Sequence, residues 1–423
     1  MKKIVQMAMV LTTIGLLGAC GNAKASNNNE KGSSNQLTFM VSADTNAKKK
    51  AFEWMAEEYE KQSGTKIKLE ILSGSDIETK LKSALLSNKQ PDLARVSSVS
   101  TNYTGYALDL TDIYNKYDFY NGTKYTYDDA IIGISAGVSV TGFYVNKTLW
   151  DEAGVSYPKT PEEVWTWQEF TEKANEVVEK TDADYAMAMK SSENNVKCLA
   201  YSYNGKSRFS EDGKTANFAS ADFQDAYQFF VDLNDDKFMP KSVMLSGEDP
   251  ASLFKTGRVA SLFSGSGQLI DFEQTIENFE YAAVYTPKGE TRATMQGGDY
   301  VVGFKNTGNE TETKKFIDWM YHNEVQSEFC SLYGSLPAIE GVSVDYGKLA
   351  DHMKVFQNEL DETSPMPAQD LSLFQDLTEP RDSDADIEFD NLKRAINGDV
   401  TVEEAREQMQ SELASTTDYK VEK

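Results

Sequence analysis

Apolar side chains alternate with polar ones in some segments near the start of the chain and recur at helical spacing in others. Strand-like alternation or short apolar runs lie at 37–41, 67–71 and 93–96, and helical spacing lies at 47–63 and 77–85. Gly64 is placed to end the first helix, because glycine readily adopts the left-handed conformation found after helices. This order predicts a parallel sheet with crossover helices, and therefore an α/β domain.

Polar loops follow the three predicted strands. In α/β sheets of this kind, ligands bind beyond the carboxyl ends of the strands. The loops at 42–46, 73–76 and 97–103 are therefore candidate ligand-binding loops.

The same two patterns continue through the rest of the chain. Strands are predicted at 142–145, 259–263 and 300–304, and helices at 161–180, 221–234, 311–323 and 384–413, the last interrupted at 397–399. The sequence shows no internal repeat.

The pattern of the first residues predicts a targeting signal. Met1-Lys2-Lys3 precedes an uncharged stretch at 4–16 and then Leu17-Gly18-Ala19-Cys20, which is typical of a secretory signal over 1–19. The last four positions resemble the lipobox of bacterial lipoproteins, in which the cysteine receives lipid, and this implies lipidation of Cys20. An ordinary signal peptide with an incidental cysteine is the alternative. Residues 4–19 are shorter than the ~20 that a membrane-spanning helix requires.

A polar tether is expected at 20–36, because this segment is rich in Asn, Ser, Gly and Lys and has little to bury. The net charge of −25 argues against binding of nucleic acid or anionic lipid headgroups by the folded surface. Besides Cys20, only Cys198 and Cys330 remain. We expect both thiols to be buried and free, and one disulfide stays open as an alternative.

Motifs of catalysis are scarce. His322 and His352 are the only histidines, and the chain lacks a nucleophile elbow, a phosphate-binding loop and a zinc-protease motif. An acidic row at 382–390 fails as a calcium loop, because Ile387 stands where glycine is needed; a solvated lead-in to a helix is expected instead. We predict no catalytic residue, no metal ligand and no cofactor.

Aromatic side chains are plentiful, with 21 Tyr and 21 Phe. Several fall in loops rich in Gly, Ser and Asn: Tyr103, Tyr106, Tyr300, Tyr333 and Phe374. A ring that stacks on a sugar face, surrounded by polar side chains, is a chemically sensible carbohydrate site, although most aromatic residues belong to a core.

A series of short motifs then gives a family resemblance. In order, they are Tyr59-Glu60-Lys61-Gln62-Ser63-Gly64, Pro91-Asp92-Leu93, Ala107-Leu108-Asp109-Leu110-Thr111, Gly142-Phe143-Tyr144-Val145-Asn146-Lys147, Glu152-Ala153-Gly154, Pro158-Lys159-Thr160-Pro161, Phe254-Lys255-Thr256-Gly257-Arg258-Val259-Ala260, Gly297-Gly298, Leu336-Pro337-Ala338 and Asn397-Gly398-Asp399-Val400-Thr401. The ordered set resembles the extracellular solute-binding proteins of bacterial ABC importers, in the carbohydrate-binding group that includes maltose-binding protein.

This resemblance implies a periplasmic-binding-protein-like α/β fold, with two lobes that each have a central sheet flanked by helices. Three hinge crossings are implied near 137–142, 299–302 and 336–338. The N-terminal lobe would then comprise 37–140 and 300–337, and the C-terminal lobe 141–299 and 338–423. The ligand would bind between the lobes as they close.

The resemblance also implies a set of ligand-binding positions. They are Asp44, Ser97, Ser98, Ser139, Thr141, Ser192, Asn194, Ser266, Gln268, Asp299, Tyr300 and Phe374. At several positions where maltose-binding protein stacks aromatic rings on its ligand, this chain has Ser or Gly. The difference points away from maltodextrin and leaves smaller or differently shaped oligosaccharides open.

The expected function is a substrate-binding lipoprotein that captures a carbohydrate and delivers it to a membrane permease. It would work as a monomer, anchored by lipid on the outer side of a Gram-positive type of cell membrane, without catalysis. One alternative is the same scaffold with a non-sugar ligand such as a polyamine or glycerol phosphate. Another is an envelope hydrolase that acts on polysaccharide and needs two suitably spaced carboxylates.

Overall fold

The computed structural model describes residues 35–43, 45–97, 99, 101–370, 387–416 and 420–421. The strands are β1 (Gln36–Ser42), β2 (Lys66–Leu72), β3 (Leu93–Val96), β4 (Lys124–Tyr127), β5 (Ala130–Ser135), β6 (Ser139–Asn146), β7 (Ala188–Met189), β8 (Thr215–Ala216), β9 (Ser261–Gly265), β10 (Tyr281–Val284), β11 (Gln296–Gly297), β12 (Tyr300–Gly303) and β13 (Lys420–Val421).

The helices alternate with these strands. They are α1 (Asn46–Ser63), α2 (Gly74–Leu86), α3 (Thr101–Thr104), α4 (Thr111–Tyr114), α5 (Lys147–Ala153), α6 (Trp167–Lys180), α7 (Glu193–Asn204), α8 (Gln224–Leu233), α9 (Lys241–Ser246), α10 (Pro250–Lys255), α11 (Leu269–Thr275), α12 (Glu310–Met320), α13 (Asn323–Tyr333), α14 (Ala350–Glu362), α15 (Ile387–Asn397) and α16 (Val402–Thr416).

Six of the described strands form the sheet of the first lobe, in the order β2-β1-β3-β12-β5-β4. β1 pairs in parallel with β2 and β3, so that Phe39 lies opposite Leu69 on one side and Leu93 on the other. This parallel part was expected. The prediction covered only these first three strands; β12 returns from a distant part of the chain and runs antiparallel to β3 and β5, which makes the whole sheet mixed.

The sheet of the second lobe has the order β10-β6-β9-β7, and β11 pairs with the start of β6. β6 runs antiparallel to β9 and β10, and β7 runs parallel to β9. The α/β architecture with two lobes is therefore confirmed.

Helices cover both sheets with clusters of aromatic rings. In the first lobe, Phe39 of β1 packs edge-to-face against Phe52 of α1, with ring centres 5.8 Å apart. In the second lobe, Phe143 of β6 packs edge-to-face against Phe170 of α6, with ring centres 5.0 Å apart. These clusters bury large apolar surfaces and fix each helix layer on its sheet.

Helix boundaries follow local signals. α1 begins where the Thr45 hydroxyl accepts a hydrogen bond from the Lys48 N–H at 3.2 Å, and it ends at Gly64, whose φ is 76°. α6 begins at Trp167, because Thr166 and Glu169 form a capping box there. The single helix predicted over 161–180 is therefore a short 3-10 turn followed by α6.

One predicted helix boundary was wrong. The helix expected over 311–323 ends at Met320, and a second helix, α13, starts at Asn323 after an extended His322 with ψ of 141°. Both thiols, Cys198 and Cys330, are buried and free, as expected. Among the described residues, every helix falls short of the length and apolarity that a membrane span requires.

Candidate functional site

Three chain segments cross between the two lobes side by side. They are 136–138 between β5 and β6, 298–299 between β11 and β12, and the segment that begins at 334 after α13 and leads to α14, which packs on β6 and β10. Val138 and Leu336 exchange two backbone hydrogen bonds, each 2.8 Å long. The Ala136 N–H donates to the carbonyl of Asp299 at 3.3 Å. The first crossing is therefore hydrogen bonded to both of the others.

The first and second crossings approach each other closely at two glycines. A Cβ atom added to Gly298 would lie 2.6 Å from the carbonyl oxygen of Gly137. This space has no room for a side chain, which explains why glycine stands at 298.

The edge of the first sheet that faces the crossings brings several strand ends together. Tyr300, the first residue of β12, lies opposite Val96 of β3 and Ser135 of β5. Ser97 and Asp299, their chain neighbours, therefore lie at this edge. Ser97 is exposed and Asp299 is half-buried.

Asp299 forms an ion pair with Arg95, whose Nη1 lies 2.6 Å from Oδ2 of Asp299. The Arg95 side chain is 5% exposed and that of Asp299 is 29% exposed. The Arg95 guanidinium carbon lies 4.8 Å from the centre of the Tyr333 ring and 5.6 Å from that of Phe52. Sequence reasoning missed Arg95; the signal was a single charge within an otherwise apolar predicted strand.

The second lobe presents the start of β6 and the turn after β9 at its own edge. Thr141 of β6 lies opposite Gly265, the last residue of β9. Gln268, in the turn after β9, is half-buried, and Ser139 at the start of β6 is also half-buried. Ser139 directly follows the first crossing, and the turn that contains Gln268 contacts β6.

Ser192 and Asn194 lie at the start of α7, next to the same sheet. Ser192 caps the helix by accepting a hydrogen bond from the Asn195 N–H at 3.4 Å. The buried Asn195 amide donates to the carbonyl of Phe263 at 3.1 Å and ties this loop to β9. Asn194 is exposed. Asn195 is a further positioning residue that sequence reasoning missed.

Three predicted ligand residues are buried. The Ser266 hydroxyl accepts a hydrogen bond from the Val140 N–H at 3.2 Å, and Thr141 is 7% exposed. The Tyr300 ring packs edge-to-face on Tyr125, with ring centres 6.0 Å apart. The predicted ligand residues with exposed or half-buried side chains are Ser97, Ser139, Ser192, Asn194, Gln268 and Asp299.

Four predicted positions lie outside the described residues: Asp44, Ser98, Phe374 and the lipidation residue Cys20. The predicted signal peptide at 1–19 and nearly all of the predicted tether lie outside them too.

Contacts between the lobes also occur around the loop before β4. The Tyr120 hydroxyl donates to Oδ1 of Asp361 in α14 at 3.1 Å and accepts from the Gln357 amide at 2.9 Å. Burial, with the nearby Asp361 carboxylate, raises the pKa of Tyr120 to about 12. Sequence reasoning missed this contact, since neither segment carries a family motif.

A small cavity lies beside this loop. It is lined by residues of both lobes: Gly122, Thr294, Met295, Gln296, Thr363, Ser364, Pro367 and Ala368. Oε1 of Gln296 is buried there without a hydrogen-bond partner among the described residues. The cavity is therefore polar on one side, although it is too small for a sugar ring as it stands.

A buried carboxylate lies in α14, about one turn before Thr363 of the cavity lining. Glu359 is 1% exposed, accepts a hydrogen bond from the Thr286 N–H at 2.9 Å, and lies 3.4 Å from the Arg292 guanidinium. Burial raises the pKa of Glu359 to about 7, against the opposing effect of Arg292. Among the described residues, no three His, Cys, Asp or Glu side chains converge to hold a metal ion.

Comparison with known proteins identifies a family and several similar proteins. Residues 54–354 match the family described as bacterial extracellular solute-binding protein. A binding protein of Brucella abortus is 24% identical over 227 residues, 52% of this chain and 54% of its own. This chain thus spans about half the length of that curated relative.

A longer match is the multiple sugar-binding protein of Streptococcus mutans, which is 23% identical over 81% of this chain and 84% of its own. Among solved structures, an ABC substrate-binding protein from Listeria monocytogenes, in complex with cycloalternan, has a TM-score of 0.73. It is 23% identical, and the match covers 91% of this chain and 99% of that one. At this identity the structural likeness supports the fold.

Proposed function

We propose, from the premise that this chain belongs to the bacterial extracellular solute-binding proteins, that it captures a carbohydrate between its two lobes. The ligand would be an oligosaccharide, which the protein delivers to the membrane permease of an ABC transporter. The observation that carries the proposal is the set of polar side chains at both lobe edges beside three hydrogen-bonded crossings.

The chemistry of these side chains fits a sugar. Hydroxyl and amide groups such as those of Ser97, Asn194 and Gln268 both donate and accept hydrogen bonds, and so do sugar hydroxyls. The carboxylate of Asp299 accepts hydrogen bonds and is already paired with Arg95. The names of two similar proteins also support a sugar, since one is a multiple sugar-binding protein and the other was solved with cycloalternan.

The proposal includes no catalytic step. Both histidines have partners away from the lobe edges: His352 Nδ1 accepts the Ala283 N–H at 3.2 Å, and His322 lies 3.8 Å from Glu324. A receptor needs only to bind, close and release, and its closed form is what a permease would recognise.

We further propose that lipid on Cys20 anchors the mature protein to the outer face of the cell membrane, where it works as a monomer with lobe boundaries near 140 and 300. The support is the lipobox-like Leu17-Gly18-Ala19-Cys20. Metabolic labelling with a fatty acid should mark the full chain and should not mark a Cys20→Ala variant.

The test of function is calorimetric titration of the mature protein with a panel of neutral mono- and oligosaccharides that includes maltotriose and cycloalternan. We expect at least one oligosaccharide to bind with micromolar or tighter affinity. Spermidine and glycerol phosphate form the comparison arm. Tight binding of either charged solute, without binding of any sugar, would overturn the proposal in favour of a non-sugar solute.

A further inference from the structure

Arg95 joins three parts of the first lobe around one guanidinium. It pairs with Asp299 of the second crossing and lies against Phe52 of α1 and Tyr333, the last residue of α13 before the third crossing. The aromatic contacts and the 5% exposure of Arg95 restrict its position. Arg95 therefore fixes the place of the Asp299 carboxylate beside the crossings.

The carboxylate keeps capacity for a ligand. It is 29% exposed, and the 2.6 Å contact from Arg95 reaches Oδ2. A carboxylate has two oxygens with about four lone-pair sites, so one guanidinium does not saturate it. Hydrogen bonds from a ligand hydroxyl to a charged acceptor are stronger than those to a neutral one.

The charge balance around Asp299 disfavours a cationic ligand. A partly exposed carboxylate without a partner would attract an amine. Here Arg95 compensates its charge. The described charges at this edge therefore do not sum to a negative site.

We infer that Arg95 is a specificity-determining positioning residue: it holds Asp299 as a charge-compensated acceptor for hydroxyl groups, so that the site takes a neutral polyhydroxylated solute and rejects polyamines. The inference rests on the proposed function and deepens it. Arg95 acts through Asp299, and Asp299 contacts the ligand.

The first test compares Asp299→Asn with Asp318→Asn by calorimetry, using whichever panel sugar binds the wild type most tightly. Asp318, in α12, is a matched control, because it is 27% exposed and lies 2.9 Å from Lys116. We expect Asp299→Asn to weaken sugar binding about 10- to 100-fold, the size of one hydrogen bond to a charged group. Asp318→Asn should change it less than about twofold.

The second test measures selectivity, which a merely structural role would not change. Arg95→Met leaves the Asp299 charge without its arginine, so the ratio of spermidine affinity to sugar affinity should rise about tenfold or more. The double variant Arg95→Met/Asp299→Asn removes both charges and should return this ratio toward the wild-type value. It also guards against misfolding, since removing both members of a pair is better tolerated than removing one.

The outcomes separate the inference from the proposed function. If the wild type binds a sugar but Asp299→Asn binds it with unchanged affinity, the inference is overturned and the proposed function stands. The same holds if a folded Arg95→Met variant keeps the wild-type ratio of spermidine affinity to sugar affinity. Binding of spermidine or glycerol phosphate in preference to every sugar, or no sugar binding at all, overturns both.

Discussion

Two arginine–carboxylate pairs in this protein have similar chemistry and different surroundings. Arg208 and Glu388, in the second lobe, form a two-pronged ion pair with distances of 2.7 and 2.5 Å, and their side chains are 5% and 2% exposed. Arg95 and Asp299, at the crossings, have an equally buried arginine but a carboxylate that is 29% exposed.

The neighbours of each pair extend this difference. The Tyr227 hydroxyl donates to Oε1 of Glu388 at 2.7 Å. The backbone N–H of Arg208 donates to Oδ2 of Asp370 at 2.6 Å. Asp370 also accepts from the Tyr201 hydroxyl at 2.8 Å. We call Arg208 and Glu388 the closed pair, because both side chains are buried, whereas the pair at Asp299 is open on one side. We therefore assign a structural role to Arg208 and a ligand-related role to Arg95.

The largest effect should follow from breaking the closed pair. Arg208→Met leaves Glu388 buried without its guanidinium, and we expect a loss of about 3–5 kcal/mol in the free energy of unfolding. Urea denaturation followed by circular dichroism measures it.

Two variants make this test specific. Arg258→Met removes a surface arginine that is 62% exposed and paired with Asp184, and it should cost at most about 1 kcal/mol. Arg208→Met/Glu388→Leu should recover part of the lost stability, since no unpaired charge remains. A cost for Arg208→Met as small as that for Arg258→Met would show that the closed pair is not structural.

A third arginine–carboxylate pair, Arg292 and Glu359, extends the comparison, because it makes the stability of the fold depend on pH. Glu359 is as buried as Glu388, but its arginine lies 3.4 Å away, and burial raises its pKa to about 7 from the usual 4.5. Between these values the folded protein binds a proton that the unfolded chain has released. Glu359 therefore makes stability fall as pH rises from about 4.5 to 7, by up to about 3 kcal/mol.

The substitution Glu359→Gln removes this titration and should flatten that part of the stability profile. Denaturation midpoints of the wild type and the variant, measured from pH 4.5 to 8, give the difference. Glu340→Gln, at an exposed position, is the control and should follow the wild type. A wild-type slope that persists in Glu359→Gln would refute the assignment of this titration to Glu359.

Most of the order of strands and helices could be predicted from the sequence, because it depends on local signals. Alternation at 37–41 and the left-handed Gly64 both depend on neighbours in the chain, and both predictions are confirmed. The crossings were implied by motifs that keep their order, such as Gly297-Gly298 and Leu336-Pro337-Ala338.

The charged pairs could not be predicted, since each joins residues far apart in the chain. Glu388 belongs to an alternating acidic row that we expected to be solvated, but it is buried, because Arg208 and Tyr227 meet it from another part of the fold. Arg95 and Asp299 likewise meet only once β12 has paired with β3. Composition and spacing do not encode such partners.

The smallest effect is expected from a variant that tests whether the close approach of two crossings, as well as Arg95, positions the Asp299 carboxylate. Gly298→Ala would place a methyl group 2.6 Å from the Gly137 carbonyl oxygen, so one crossing must shift, and Asp299 is the next residue. We expect a loss of about 1–3 kcal/mol in unfolding free energy, as for other overpacked sites, together with weaker sugar binding. Gly267→Ala is the matched control at the edge of the other lobe, because nothing lies within 4 Å of its added methyl group. Urea denaturation and sugar titration of both variants decide the matter: if Gly298→Ala behaves like Gly267→Ala in both measurements, the close approach of the crossings does not position Asp299, and its position depends on Arg95 alone.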